Sequence, residues 1–265
     1  MKIGVLALQG AFREHLQTLD AIGVEGVPVR LPADLDGVAG LILPGGESTT
    51  MRHLIERWGL AAPILDLAAT GAPLFGTCAG MIVLSRQIVG GEAPILPLLD
   101  VTVERNAFGR QLDSFEAELA VPILGDTAVH AVFIRAPVIE AVGPDVDVLA
   151  RLDDGRIVAV RERNVIATAF HPELAGETRF HRLVAVAGEA GLHEQLDVAV
   201  LVGARDVEPP RAAPGGIAQD LVDEPEPDVA GASQFAFRTS ARPRRGQEPL
   251  VRHALPSALR SRPSS

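Results

Sequence analysis

The sequence predicts an α/β fold, a mixed and mostly parallel central sheet flanked by helices, followed by a disordered C-terminal tail. Three observations carry this expectation. Up to about residue 200, short β-branched runs alternate with amphipathic helical stretches across short connections. The runs GLIL and PLFGT are apolar without alternation, as parallel strands covered on both faces are. Beyond about Gly203 the periodicity disappears, and nine of the chain's 20 prolines fall there.

KIGVLAL reads as the first strand. FREHLQTLDAIG reads as a helix with Phe12, Leu16, Leu19 and Ile22 on one face and Gly23 as its C-terminal cap. VEGVPVR is the second strand and GLILPGG the third. Helices follow at about 49–58 and about 61–70, the latter stopped by Gly71 and Pro73. APLFGT is the fourth strand and AGMIVLSRQ the helix leaving it. After about residue 95 the runs LLDVTVERN, EAELAVP, AVFIRAP, DVLARL, RIVAVRE and VIATAF succeed one another with few helical intervals, implying an antiparallel or mixed extension of the sheet. A last helix covers 177–190, so one domain is expected over 1–200. The tail, 203–265, is acidic at 220–228 and arginine-rich at 238–262, either an unselected extension or a docking arm.

Composition narrows the classes of function. With 265 residues and 47% hydrophobic content, the chain can bury a core. A formal charge of −10 argues against nucleic acid, whose affinity rests on cationic side chains. No run of eighteen apolar residues exists and MKIGVLALQG lacks the long apolar region of a signal peptide, so neither membrane nor secretion is expected. A lone cysteine makes no internal disulfide, which suits a reducing cytoplasm. No cluster has metal-ligand spacing, and neither metal nor cofactor is expected.

That cysteine, Cys78, lies in LFGTCAGMIVL, where an apolar strand turns into a helix between Gly76 and Gly80. G-x-C-x-G is the thiol counterpart of the serine nucleophile elbow: the glycines permit a sharp turn and a close helix–strand approach. The start of a helix also favours the thiolate. The competing reading is a small buried hydrophobe. A nucleophilic thiol commonly needs a base, and the histidines sort by position. His15, His53 and His181 lie in helices, His193 near a helix end and His253 in the tail. His130 opens a strand, whereas His171 closes one and therefore shares the ligand-binding edge with Cys78 if the two strands run parallel. Pro172 holds His171 extended, and Glu173, two residues on, faces the same way and can orient the imidazole.

Cysteine, histidine and glutamate so arranged perform acyl transfer through a thioester. The oxyanion needs N–H donors. Ala79, the residue after the nucleophile, offers one, and the PGGEST turn offers another through Gly45 and Gly46, with Glu47 available to an ammonium group. The plainer reading of PGGEST is a turn followed by a Ser48 or Thr49 helix cap, and both can hold.

LQGAFREH, LILPGGESTTM, FGTCAG, VERNAFGRQ, SFEAEL, FIRAP and FHPEL, in that order, closely resemble the glutaminase subunit of the two-component pyridoxal 5′-phosphate synthase, a class I glutamine amidotransferase. FGTCAG and FHPEL are shared across that class; LQGAFREH, PGGESTTM and VERNAFGRQ narrow the resemblance. It spans about residues 1–196 and implies a three-layer, flavodoxin-like class I amidotransferase fold. It further implies that Cys78 attacks the amide of L-glutamine, His171 shuttles protons and Glu173 orients His171. Gly46, Glu47, Ser48, Arg105, Ile134 and Arg135 would line the glutamine site, Ile134 through its backbone. Ammonia would pass to a (β/α)8 synthase subunit that docks and activates the glutaminase, with a glycine peptide of the PGG turn reorienting. Two alternatives stand beside this: the glutaminase of another amidotransferase, such as imidazole glycerol phosphate synthase, and a non-catalytic flavodoxin-like cysteine sensor. The tail is the one large departure from the family pattern.

Overall fold

Strands form where short apolar runs end at glycine or proline, and their pairing decides where the chemistry sits. In a computed structural model, residues 1–91, 93–105 and 114–190 are described, all within one compact unit, Met1–Arg211. The expected tail and most of VERNAFGRQ lie outside the described residues. The first half gives β1 (Lys2–Leu6), α1 (Phe12–Ala21), β2 (Glu25–Val29), β3 (Gly40–Leu43), α2 (Ser48–Arg57), α3 (Ala61–Ala69), β4 (Leu74–Thr77) and α4 (Ala79–Leu84). The second gives β5 (Ser85–Ile88), β6 (Leu99–Glu104), β7 (Ser114–Leu119), β8 (Val129–Ile134), β9 (Val138–Val142), β10 (Asp147–Arg151), β11 (Ile157–Glu162), β12 (Val165–Thr168) and α5 (Arg179–Ala190).

The main sheet has the order β2-β1-β3-β4-β12-β11-β9-β6-β5, with β10 beside β11. From β2 to β12 all pairs are parallel; β11 and β9 are antiparallel to their neighbours, and β5 is parallel to β6. Helices flank this mixed, mostly parallel sheet, and every residue of β3, β4 and β12 is buried, which accounts for their unalternating runs.

The register that matters joins β4 to β12: Leu74 faces Val165, Phe75 Ile166, Gly76 Ala167 and Thr77 Thr168. Cys78 and His171 therefore leave the sheet at the same edge. Beneath them Phe75 stacks on Phe180 of α5, with ring centroids 5.5 Å apart, and Phe170 packs on both Phe180 and Phe133.

Several expectations need correction. The helix after Cys78 ends at Leu84, because the Ser85 hydroxyl donates to the Ile82 carbonyl (2.7 Å) and SRQI turns into an edge strand beside β6. The strand-rich half does not simply extend the sheet: β7 and β8 form a separate two-stranded ribbon with Phe115 stacked on Phe133. The strand β9 was hidden in PVIEAV, whose leading proline and central glutamate obscure the run. On α1 the buried face centres on His15, Thr18 and Leu19, while Phe12, Leu16 and Ile22 are only partly covered.

Glycine is required where α4 crosses the sheet. A Cβ on Gly80 would lie 2.1 Å from the Leu43 carbonyl oxygen, a backbone atom with little freedom to move. Gly80→Ala would gain about 1 kcal/mol of helix propensity but incur about 3 kcal/mol of overpacking, so the clash decides the sign. Urea unfolding of Gly80→Ala is expected to show a net loss of about 2 kcal/mol; unchanged or increased stability would show that α4 and β3 can part freely.

Candidate active site

Cys78, His171 and Glu173 are each placed by a different backbone device. Cys78 stands between β4 and α4 with φ 48° and ψ −101°, a conformation seldom found outside glycine. Its N–H donates to the Thr168 carbonyl (2.8 Å), so β12 anchors the elbow. The side chain is 7% exposed and its Sγ lies 3.9 Å from the Ile134 carbonyl at the end of β8. His171 follows β12 by three residues, and its N–H donates to the Val132 carbonyl (2.9 Å), tying the ribbon to the same corner.

The tripeptide His171, Pro172, Glu173 is not extended throughout, as the sequence suggested. Only His171 is non-helical; Pro172–Leu174 form one 3-10 turn, at whose first position the missing proline N–H is tolerated. The turn carries the buried Glu173 back beneath the ring, and Glu173 Oε1 accepts from His171 Nδ1 at 2.7 Å. Nε2 is thereby left as the ring nitrogen available to Cys78.

Electrostatics favour the charged form of His171. Burial pulls the His171 pKa down, but hydrogen bonds to Cys78 and Glu173, with their charges, together outweigh it and hold the imidazole at about 10. His171 therefore stays imidazolium through the neutral range. Gly45 makes room for the ring: a Cβ there would lie 2.1 Å from His171 Cε1.

A cavity of about 540 Å³ opens over this corner, within the range of small-molecule sites. Cys78 and His171 line it with Gly45, Gly46, Glu47 and Ser48 of the PGGEST turn. Arg105, Ile134 and Arg135 line it as well. Glu173 stands behind His171, and Ala79, 1% exposed, begins α4, where first-turn N–H groups have no intrahelical acceptor. The helix cap expected of Ser48 or Thr49 is instead Glu47, whose carboxylate accepts from Thr49 N (3.0 Å), Thr50 N (2.7 Å) and Thr50 Oγ1 (2.7 Å). The Thr50 hydroxyl above all, with these N–H groups, brings the Glu47 pKa down to about 2, so it remains an anion. Arg105 Nη1 donates to Thr49 Oγ1 (3.3 Å) beside it.

Other contributors escaped the sequence reading. Gly10 and Ala11, after β1, also line the cavity, and Ala11 N donates to the Gly45 carbonyl (3.1 Å). The Gln9 amide brackets Glu47, accepting from its N–H (3.1 Å) and donating to its carbonyl (3.2 Å). A glutamine and glycine straight after a strand were the available signal, though they read equally as an ordinary turn. Behind Glu173 lie His15 and His181, both fully buried. No group of three or more His, Cys, Asp or Glu side chains among the described residues is arranged to hold a metal ion. No described helix is long and apolar enough to cross a membrane.

The chain is 55% identical over 181 residues to a pyridoxal 5'-phosphate synthase subunit PdxT of Moorella thermoacetica, covering 68% of this chain and 96% of the relative. It is 57% identical over 186 residues to the PdxT of Herpetosiphon aurantiacus, covering 69% and 98%. A crystal structure described as a glutamine amidotransferase superposes with a TM-score of 0.67 at 48% identity, covering 71% of this chain and 98% of that one. Residues 5–187 match the model of the SNO glutamine amidotransferase family, and the chain belongs to that family.

Proposed function

We propose that the chain hydrolyses L-glutamine to L-glutamate and ammonia with Cys78 as nucleophile, His171 as acid and base, and Glu173 as the group that orients His171. The observation that carries the reading is the imidazole of His171, held between Glu173 (2.7 Å) and the cavity shared with Cys78. Glutamine matches the lining through both groups on its α-carbon. Its ammonium suits the anionic Glu47, and its carboxylate suits Arg105 and Arg135. The Ile134 carbonyl, beside Cys78, is the part of that residue able to bind polar groups.

The chemistry then follows in two halves. The Cys78 thiolate attacks the side-chain amide carbon, and the C=O electron pair moves onto oxygen. Ala79 N–H and a peptide N–H of the Gly45–Gly46 turn receive that oxyanion. As the tetrahedral species collapses, the C–N bond breaks and imidazolium supplies the proton with which ammonia departs. A γ-glutamyl thioester remains. Neutral His171 then takes a proton from water, whose oxygen attacks the thioester; the C–S bond breaks, glutamate leaves, and thiolate and imidazolium are restored.

The ammonia is delivered to the (β/α)8 subunit of pyridoxal 5′-phosphate synthase in the cytoplasm, for vitamin B6 biosynthesis. The kinship with PdxT subunits supports that partnership. Docking of the synthase reorients a glycine peptide at Gly45 or Gly46 and completes the oxyanion hole. In support, Ala11 N holds the Gly45 carbonyl and Gln9 holds the Glu47 peptide, so both flanks of the turn are engaged from the β1–α1 loop.

Glutamate release by the full chain mixed with the synthase subunit is expected to vanish in Cys78→Ala; persistence near the wild-type rate would exclude the thiol mechanism. In Glu173→Gln the charge that supports the imidazolium is gone. The alkaline loss of activity, expected as His171 deprotonates near pH 10 in the wild type, should then move to lower pH. A pH–rate profile with an unmoved alkaline limb would remove Glu173 from the triad. Assayed alone, the wild-type chain is expected to turn over glutamine at least about tenfold more slowly than with synthase, a gap of about 1.4 kcal/mol in barrier. Full turnover without synthase would dispose of the docking switch.

A further inference from the structure

His15 of α1 and His181 of α5 are both fully buried, yet no step above uses either. They touch: His15 Nδ1 lies 2.9 Å from His181 Nε2. The other nitrogen of His15, Nε2, lies 3.2 Å from Thr77 Oγ1, on the residue before Cys78. It also lies 3.5 Å from Glu173 Oε1, the same oxygen that meets His171 at 2.7 Å. Phe75 presents faces or edges to both rings, at 6.3 Å from His15 and 5.9 Å from His181. A pair of imidazoles in such a place is an expensive way to fill space, since apolar side chains of similar volume need no partners.

Both rings are neutral. Burial above all, then the charges that His181 and His171 would carry, pushes the His15 pKa well below its ordinary value; burial takes His181 to about 3, with the Glu177 backbone opposing. A neutral imidazole has one donor and one acceptor, so the contacts fix the tautomers. A bare Nε2 on His15 would set a lone pair against the Glu173 carboxylate. Nε2 therefore carries the hydrogen, Nδ1 accepts from His181 Nε2–H, and His181 Nδ1 is left a bare lone pair. That nitrogen makes no hydrogen bond of full geometry among the described residues; its lone pair meets only the Glu177 carbonyl, a smaller penalty than a lone pair against the Glu173 carboxylate.

We infer that His15, seated between His181 and Thr77, is a positioning residue for the triad, presenting an N–H edge, shared between Thr77 Oγ1 and Glu173 Oε1, that holds Glu173 Oε1 in line with His171 Nδ1. Glu173 needs such help, because its other oxygen, Oε2, is buried with no hydrogen-bond partner among the described residues. The titratable groups facing His15 are Glu173 and His171 from the turn after β12 and His181 from α5. His15 does not line the cavity, so its effect belongs on kcat and not on KM.

The inference rests on the triad reading, and its test separates the two. The full chain is assayed with the synthase subunit as His15→Gln, whose amide nitrogen reaches about where Nε2 does, and as His15→Asn, whose amide reaches only the Nδ1 position. His15→Asn is expected to lower kcat about 10- to 100-fold at unchanged KM, and His15→Gln to recover most of it. Equal kcat for the two variants, high or low, would mean that His15 only packs. A measurement on the wild type stands apart from folding of the variants: 15N NMR should show His15 neutral and protonated at Nε2 between pH 6 and 9. The Nδ1–H tautomer would overturn the inference. Cys78→Ala in the same assay reports on the triad alone, so an active Cys78→Ala would defeat the mechanism and an inert His15 only its support.

Discussion

The parallel pairing of β4 with β12 is the contact on which the rest depends. Thr77 opposite Thr168 brings two segments 91 residues apart in sequence to one sheet edge in matching register. A slip of one residue would reverse the side chains of β4 relative to β12 and send Phe75 out of its stack on Phe180. The elbow is locked to this pairing, since the N–H of Cys78 continues the ladder onto the Thr168 carbonyl. The geometry of this corner is thus a by-product of burying the centre of the sheet.

Charge is distributed around that edge with a consistent logic. His15 touches His181 and shares Glu173 Oε1 with His171, yet of these three histidines only His171 is held charged, because only it faces both a thiol and a carboxylate at hydrogen-bonding range. His15 and His181 are forced neutral by burial, and the positive charge of His171 adds to that pressure on His15. In the low-dielectric wall behind the site, Glu173 has two polar neighbours, the His171 ring in front and the His15 edge at its side. Glu47, by contrast, is exposed and keeps its charge through the Thr50 hydroxyl and two backbone N–H groups, so its anion is independent of His171 and Glu173.

Much of this was legible in the sequence, for physical reasons that also explain the failures. Strands β3, β4 and β12 announce themselves because burial on both faces demands unbroken apolar runs. The elbow was legible because Gly80 must be glycine where its Cβ would strike the Leu43 carbonyl. Hydrophobic periodicity could not reveal His15 or His181, since a buried polar residue breaks the very pattern used to find a buried face. For the same reason the buried face of α1 was drawn around Phe12, Leu16, Leu19 and Ile22 and missed its centre at His15. The Glu47 cap was masked by Ser48 and Thr49, commoner capping residues, and the separateness of the β7–β8 ribbon depends on long-range pairing to which local pattern is blind.

Strain explains why the site lies where it does. Of the three described non-glycine residues with positive φ, Cys78 (48°) and Arg135 (45°) line the cavity, while Arg163 (54°) sits in the turn between β11 and β12. Each such residue costs about 1–3 kcal/mol and persists only if its surroundings over-determine it. For Cys78 the surroundings are β4, fully buried and paired on both sides by β3 and β12, and an α4 pressed so close that glycine alone fits at position 80. A cysteine at the rim of the sheet would relax to a commoner conformation and turn its sulfur away from His171. Placing Cys78 at the end of a central strand makes the rigid core bear the cost of holding it toward the cavity.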